Sequence, residues 1–309
     1  MYNKTGYIGV FGIGAGLLAL DFAMRLLVIE RKVAARYDET LEDRTVKPLC
    51  DAETPNNENA EDPGEGSALL PKIQHEDFRL PEVQNKAIRV LPILYCLGNL
   101  RLLVALFLGF VQAFLLGAFD ATIPTEAEDL FNFSSLNAGL LFIALDVPYL
   151  ILGPIAGWAV DKFGTKLASV VGFAYLVPTL ILLRLPSEHI VEDRKQNIIL
   201  YCALLALNGI GMAIIGSPSI VEASYVVQKY HKANPDFFGK NGPYAQLYSF
   251  NSLVFSAGLT IGPLLSGALR NAIGYGNMNA VVAVMSGITA VLSFVFIGGK
   301  PNILQRNRI

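Results

Sequence analysis

Three acidic residues, Asp120, Asp146 and Glu222, lie inside or at the end of long apolar runs. A charged group in hydrocarbon is costly, so each is a candidate for holding an ion, a proton or a cationic solute. Asp146 is the deepest, within Asn137 to Val160, where a carboxyl deprived of water holds its proton more readily and could shuttle one. Pro148 follows it and frees a backbone carbonyl nearby. Asp120 stands near the outer end of Leu102 to Ile123. Gln112 lies two helical turns earlier and Gly109 one turn before that, which predicts a polar stripe on one face. In Ile198 to Val221, Asn208, Met212, Ile215, Ser219 and Glu222 follow a helical stripe that Gly216-Ser217-Pro218 interrupts. A helix broken at membrane depth faces protein or a water-filled cavity, so this run is expected to line a pathway, with Asn208 and Asn251 contributing amides. Each acid also has a plainer reading. Asp120 could cap the outer loop, Asp146 could make a packed polar contact between helices, and Glu222 could reach the headgroups.

The elements that must carry these residues follow from composition. A 309-residue chain that is 53% hydrophobic, with mean hydropathy +0.45, is too apolar for a soluble domain. About 20 apolar residues cross a bilayer as a helix. Seven such runs are present: Tyr7 to Ile29, Leu102 to Ile123, Asn137 to Val160, Thr165 to Leu183, Ile198 to Val221, Ala245 to Leu269 and Asn277 to Ile297. The fold class is therefore an all-α polytopic membrane protein. We divide it into a single transmembrane helix (1–30), a largely disordered cytoplasmic loop ending in an interfacial segment (31–100), a six-helix bundle (101–299) and a basic tail (300–309). Counting basic residues near span ends puts 14 on the predicted inner side and five on the outer. That asymmetry places the N-terminus outside and the tail in the cytoplasm. Both sequons, at Asn3 and Asn132, then fall on the outer side.

Several function classes drop out. The net charge of −2 comes with no basic patch beyond the membrane flanks, so nucleic acid is not an expected partner. Cys50, Cys96 and Cys202 show no pairing or metal-ligand spacing, and His75, His189 and His231 lie outside the spans. No catalytic constellation, metal site or cofactor is expected, and the partners are the lipid bilayer and a small solute. Asp21 and Arg25, one turn apart in the first span, read as a self-neutralising structural pair. Glu65 to Leu70 matches an acidic dileucine sorting signal, a pattern that also arises readily by chance.

Two motifs are more specific. Between the third and fourth spans stands Gly157-Trp158-Ala159-Val160-Asp161-Lys162-Phe163-Gly164-Thr165-Lys166, a charged knot that must turn tightly at one membrane face. Gly157 permits close backbone approach and Gly164 an unusual backbone shape. Asp161 can accept hydrogen bonds from a helix start or from Lys162 and Lys166, and the lysines hold the turn at cytoplasmic headgroups. In the sixth span Gly258, Gly262, Pro263 and Gly267 provide small residues at helical spacing for close packing, with a bend.

The knot resembles the signature loop of the major facilitator superfamily, with Thr165 standing where that family usually has Arg. The glycine-proline run resembles an element of its drug–proton antiporters. Together they resemble the sixth to twelfth helices of a fungal transporter of the vesicular amine type, a partial major facilitator fold. The resemblance implies multidrug efflux or vesicular loading, by proton antiport, of a small cationic or amphipathic solute at a plasma, vacuolar or vesicular membrane. The proton gradient supplies the energy and no cofactor is needed. It makes Asp120, Asp146 and Glu222 the coupling candidates, with Gln112, Asn208 and Asn251 lining the site. Asn251 or Ser252 stands where amine transporters carry an acid. The first five helices of the family have no counterpart in this sequence, which implies a truncated chain, or a half-transporter that pairs with a partner or serves regulation. A seven-span receptor is the alternative from another class, although the final span lacks the lysine that retinal would require.

Overall fold

The computed structural model describes residues 93–188, 193–238 and 242–298, and residues 12, 15, 16 and 18–24, which are helical. Most of the expected first span, the loop after it, the sorting-signal match, the Asn3 sequon, Arg25 and the basic tail lie outside the described residues. The chain divides into two units, Met1–Leu69 and Leu70–Ile309, and the second carries everything that follows.

It opens with the short α1 (Ile93–Cys96), whose apolar side chains pack with Val226, Val227 and Leu247. Helix α2 (Leu100–Phe131) begins where the Asn99 side chain accepts the Arg101 amide, as an N-cap should. Sequence reading ends this span at Ile123, before Pro124, but the helix runs a further two turns. Proline removes one intrahelical bond, and the Thr125 hydroxyl covers neighbouring carbonyls by donating to those of Ala121 and Thr122. Asn132, in the left-handed conformation at φ 49°, then closes the helix, as Asn can at little cost.

Helix α3 (Ser135–Phe163) accommodates Pro148 and Pro154 and stops at Gly164; α4 (Thr165–Leu182) starts on the next residue. Gly164 holds φ 91° and ψ 158°, a region open essentially to glycine alone. After a short 3-10 turn (Leu185–Glu188), α5 (Arg194–Ile215) and α6 (Pro218–Ala233) form one broken span, parted at Gly216 and Ser217. The short α7 (Pro235–Phe238) leads to α8 (Tyr244–Ile273), which ends at Gly274, followed directly by α9 (Tyr275–Phe296).

Gly274 repeats the Gly164 backbone, at φ 82° and ψ 162°. The repeat runs deeper than one turn. The principal packing partners are α2 with α8, α3 with α5, and α4 with α9. Exchanging the triplet α2, α3, α4 for the triplet α5–α6, α8, α9 maps this set of pairs onto itself, which is the signature of an internal three-helix repeat. Helix α2 is the hub, with 78% of its most apolar stretch buried, against 17% for α3 and α8. Those two helices present apolar faces that only lipid or another protein body can cover.

Candidate functional site

At one end of the bundle three helix starts meet around one carboxylate. Glu222, one turn into α6, is fully buried. Arg101, in the first turn of α2, donates through Nε to Glu222 Oε1, and Thr165, the first residue of α4, donates its hydroxyl to Oε2. Ser169 donates in turn to the Thr165 carbonyl. Lys229, two turns along α6, adds a second positive charge within electrostatic reach. Glu222 therefore binds protein rather than headgroups, and each of its oxygens has a donor.

The opposite end carries a related arrangement. Arg270, in the last turn of α8, donates to Glu126 Oε2 from Nε at 3.1 Å and from Nη2 at 3.0 Å, and also to Asp129. Glu126 and Asp129 sit one turn apart near the end of α2. Below them the buried hydroxyls of Tyr201 and Tyr275 meet at 3.2 Å, while Arg194 donates to the Phe131 carbonyl. Sequence reading counted Arg101 and Arg270 only as flanking charges and missed Glu126 and Asp129 as site residues. A helix overrunning Pro124 is the feature that would have exposed them.

Between the two ends lie the membrane-depth acids. Asp120 and Asp146, from α2 and α3, are exposed to the surface of the bundle and close enough to repel each other. Helix α3 is held hard against α5 here, since a Cβ on Gly209 would come within 2.1 Å of the Leu145 carbonyl oxygen. Glu222 is not part of this pair: Asp120 lies 19 residues along α2 from Arg101, about 28 Å of helix.

The amides divide. Asn208 is fully buried, donating to the carbonyls of Thr179 at 3.2 Å and Leu204 at 2.9 Å while accepting from the Thr179 hydroxyl at 3.1 Å. It ties α4 to α5. Gln112 is buried in α2, on a different footing from the exposed Asp120. Asn251 does meet other elements: a Cβ on Gly109 would lie 3.3 Å from the Ser219 hydroxyl and 3.6 Å from Asn251 Oδ1. The missing side chain at Gly109 lets α2, α6 and α8 converge.

The family model of the Major Facilitator Superfamily matches residues 1–233 and again 105–308. The chain belongs to the Major Facilitator Superfamily. Over 309 residues it is 46% identical to the MFS-type transporter ppzB of Metarhizium majus (strain ARSEF 297), covering 98% of this chain and 68% of that protein. It is 35% identical over 273 residues to an uncharacterized MFS-type transporter, C18.02, of Schizosaccharomyces pombe, covering 88% and 55%. It is 26% identical over 189 residues to the MFS-type transporter SLC18B1 of Mus musculus, covering 58% and 39%. The chain thus spans between 39% and 68% of the lengths of these relatives.

Membership in the superfamily makes this an integral membrane protein of a transporter family rather than an enzyme, and six helices among the described residues are long and apolar enough to cross a bilayer. The charged knot that resembles the superfamily's signature loop sits at the α3–α4 turn. Asp161 is exposed there. The two lysines lie over aromatic rings, Lys162 Nζ 4.7 Å from the Trp158 ring centre and Lys166 Nζ 4.9 Å from that of Phe294. Such contacts are favourable and hold both side chains along the end of the bundle. Thr165, the departure from the superfamily pattern, contributes a hydroxyl to Glu222, and the guanidinium there comes from Arg101 of α2. The α8 glycines differ in use. A Cβ on Gly258 would come within 2.5 Å of the Phe110 carbonyl oxygen, and one on Gly262 within 2.5 Å of that of Phe114, while nothing stands within 4 Å of Gly267 or Gly157.

Proposed function

We propose that this chain serves secondary active transport of a small cationic or amphipathic organic solute, exchanged for protons by alternating access, with Asp120 and Asp146 as the shared site. The observation that carries this is that two carboxylates stand at membrane depth on the exposed flank of the bundle, one on α2 and one on α3. A carboxylate held at membrane depth is neutralised either by a bound proton or by a bound cation, so at a shared site the two ligands compete. Competition at one site that opens alternately to either side is sufficient for antiport. The position suits the role, because an ionised carboxylate at membrane depth is tolerated beside a cavity and not against lipid. In this reading the apolar faces of α3 and α8 are covered by a second helical body, either more of the same polypeptide or a partner half, and the pair opens into the space between them. Inhibition of transport by cysteine crosslinks from α3 or α8 to such a body would support it.

Proteoliposomes holding the protein with a pH-sensitive dye inside provide the test. Addition of a transported organic cation outside should alkalinise the lumen in proportion to cation entry, because each cation that enters is exchanged for protons that leave. Asp146→Asn should remove the proton movement, and Asp120→Asn should weaken cation binding. Unchanged coupling in Asp146→Asn removes that residue from the mechanism, and proton-independent cation flux in the unaltered protein removes antiport.

A further inference from the structure

The two ion-paired ends of the bundle differ in charge balance, and that difference has a functional consequence. At Glu222 one carboxylate is matched by the Arg101 guanidinium and a neutral hydroxyl, with Lys229 as a second cation within electrostatic reach. At Arg270 two carboxylates share one guanidinium. Glu126 is almost fully buried, whereas Asp129 is 67% exposed. Neutralising Glu126 would leave Arg270 still paired with Asp129, so no buried charge is stranded. Neutralising Glu222 would deprive Arg101 of its carboxylate. A buried charge left without its partner is strongly destabilising, so only the Arg270 end can take up a proton without that cost.

We infer that Glu126 is a proton-binding site at this end of the bundle, and that proton binding releases Arg270 from Glu126, leaves Asp129 as the one α2 carboxylate still holding it, and so loosens this end of the α2–α8 contact. The proton comes from the adjoining aqueous phase and converts the carboxylate to the neutral acid. The charged and titratable groups facing Glu126 are Arg270 from α8, Asp129 on its own helix, Tyr201 from α5 and Tyr275 from α9. Arg194 is engaged at the Phe131 carbonyl next to them. The latch lies six residues beyond Asp120 on α2, about 9 Å of helix. It rests on the proton-antiport reading only for its place in a transport cycle.

The test is a distance measurement on the full chain in lipid nanodiscs. Spin labels at the exposed positions 128 and 271, with the three native cysteines replaced, report the α2–α8 separation across a pH series. The unaltered latch should show two separations exchanging with pH. Glu126→Gln should hold the low-pH separation at every pH. Asp129→Asn should move the midpoint to lower pH, because Arg270 then belongs to Glu126 alone and the proton must displace a tighter pair. This second variant keeps the buried pair intact, so it tests the proposal even if Glu126→Gln does not fold. A pH-independent separation, or a transition that survives Glu126→Gln, overturns the proposal. Dye-coupled flux separates the two claims: coupling lost in Asp146→Asn, together with an α2–α8 separation in the unaltered protein that does not change with pH, would remove the latch and leave antiport standing.

Discussion

Arg101 and Glu222 are separated by 121 residues of sequence and form an ion pair that closes one end of the bundle, with Glu222 fully buried and Arg101 only partly so. Removing the cation alone should cost about 3–5 kcal/mol, since it strands a carboxylate. Replacing both residues, as in Arg101→Met with Glu222→Leu, should recover most of that loss. A double-mutant cycle on thermal or denaturant unfolding in detergent checks this, and additive single effects would contradict it.

The α8 glycines should separate into two groups. Gly258→Ala and Gly262→Ala place a methyl against the α2 backbone, which cannot yield as a flexible side chain would, and should cost about 1–3 kcal/mol each. Gly267→Ala meets nothing and should be neutral or slightly stabilising, as alanine is the better helix former. Melting temperatures of the three variants in one detergent decide the point.

Gly164 and Gly274 should be equally intolerant of a side chain. Their backbone lies in a region where a Cβ costs about 1–3 kcal/mol, and each sits in a turn with no residue to spare between two helices. Gly164→Ala and Gly274→Ala should therefore lower stability by similar amounts, although nothing near either glycine obstructs a methyl. A marked difference between them would refute the shared role.

Asn208→Ala should behave as a packing variant. It removes two donated bonds and one accepted bond between buried groups, a loss of about 1–3 kcal/mol, while leaving the affinity for a transported cation unchanged. Parallel unfolding and binding measurements separate that outcome from the lining role its position in the sequence suggests.

The Cys96 thiol should be inert. It is wholly buried, and burial pushes its pKa up to about 12, so the reactive thiolate is scarce at any ordinary pH. Iodoacetamide at pH 8 followed by mass spectrometry should modify Cys96 only after denaturation.

Local chemistry made much of this protein legible before any fold was known. The six described spans, the break at Gly216-Ser217-Pro218, the tight turn at Gly164 and the close-packing pair Gly258 and Gly262 are set by residues adjacent in sequence or one turn apart. The acids at membrane depth announce themselves because hydrocarbon penalises them wherever they point.

Hydropathy could not tell which of those acids share a site. A membrane helix is apolar on its lipid face and on its packed face alike, so periodicity does not reveal how it is rotated. The sequence alone established that Asp120, Asp146 and Glu222 need partners. The partners were decided by the tertiary structure, because helix crossings fixed by contacts such as Gly209 on Leu145 rotate Asp146 towards Asp120, give Glu222 to Arg101 and Thr165, and bring Arg270 to Glu126 across 144 residues of chain.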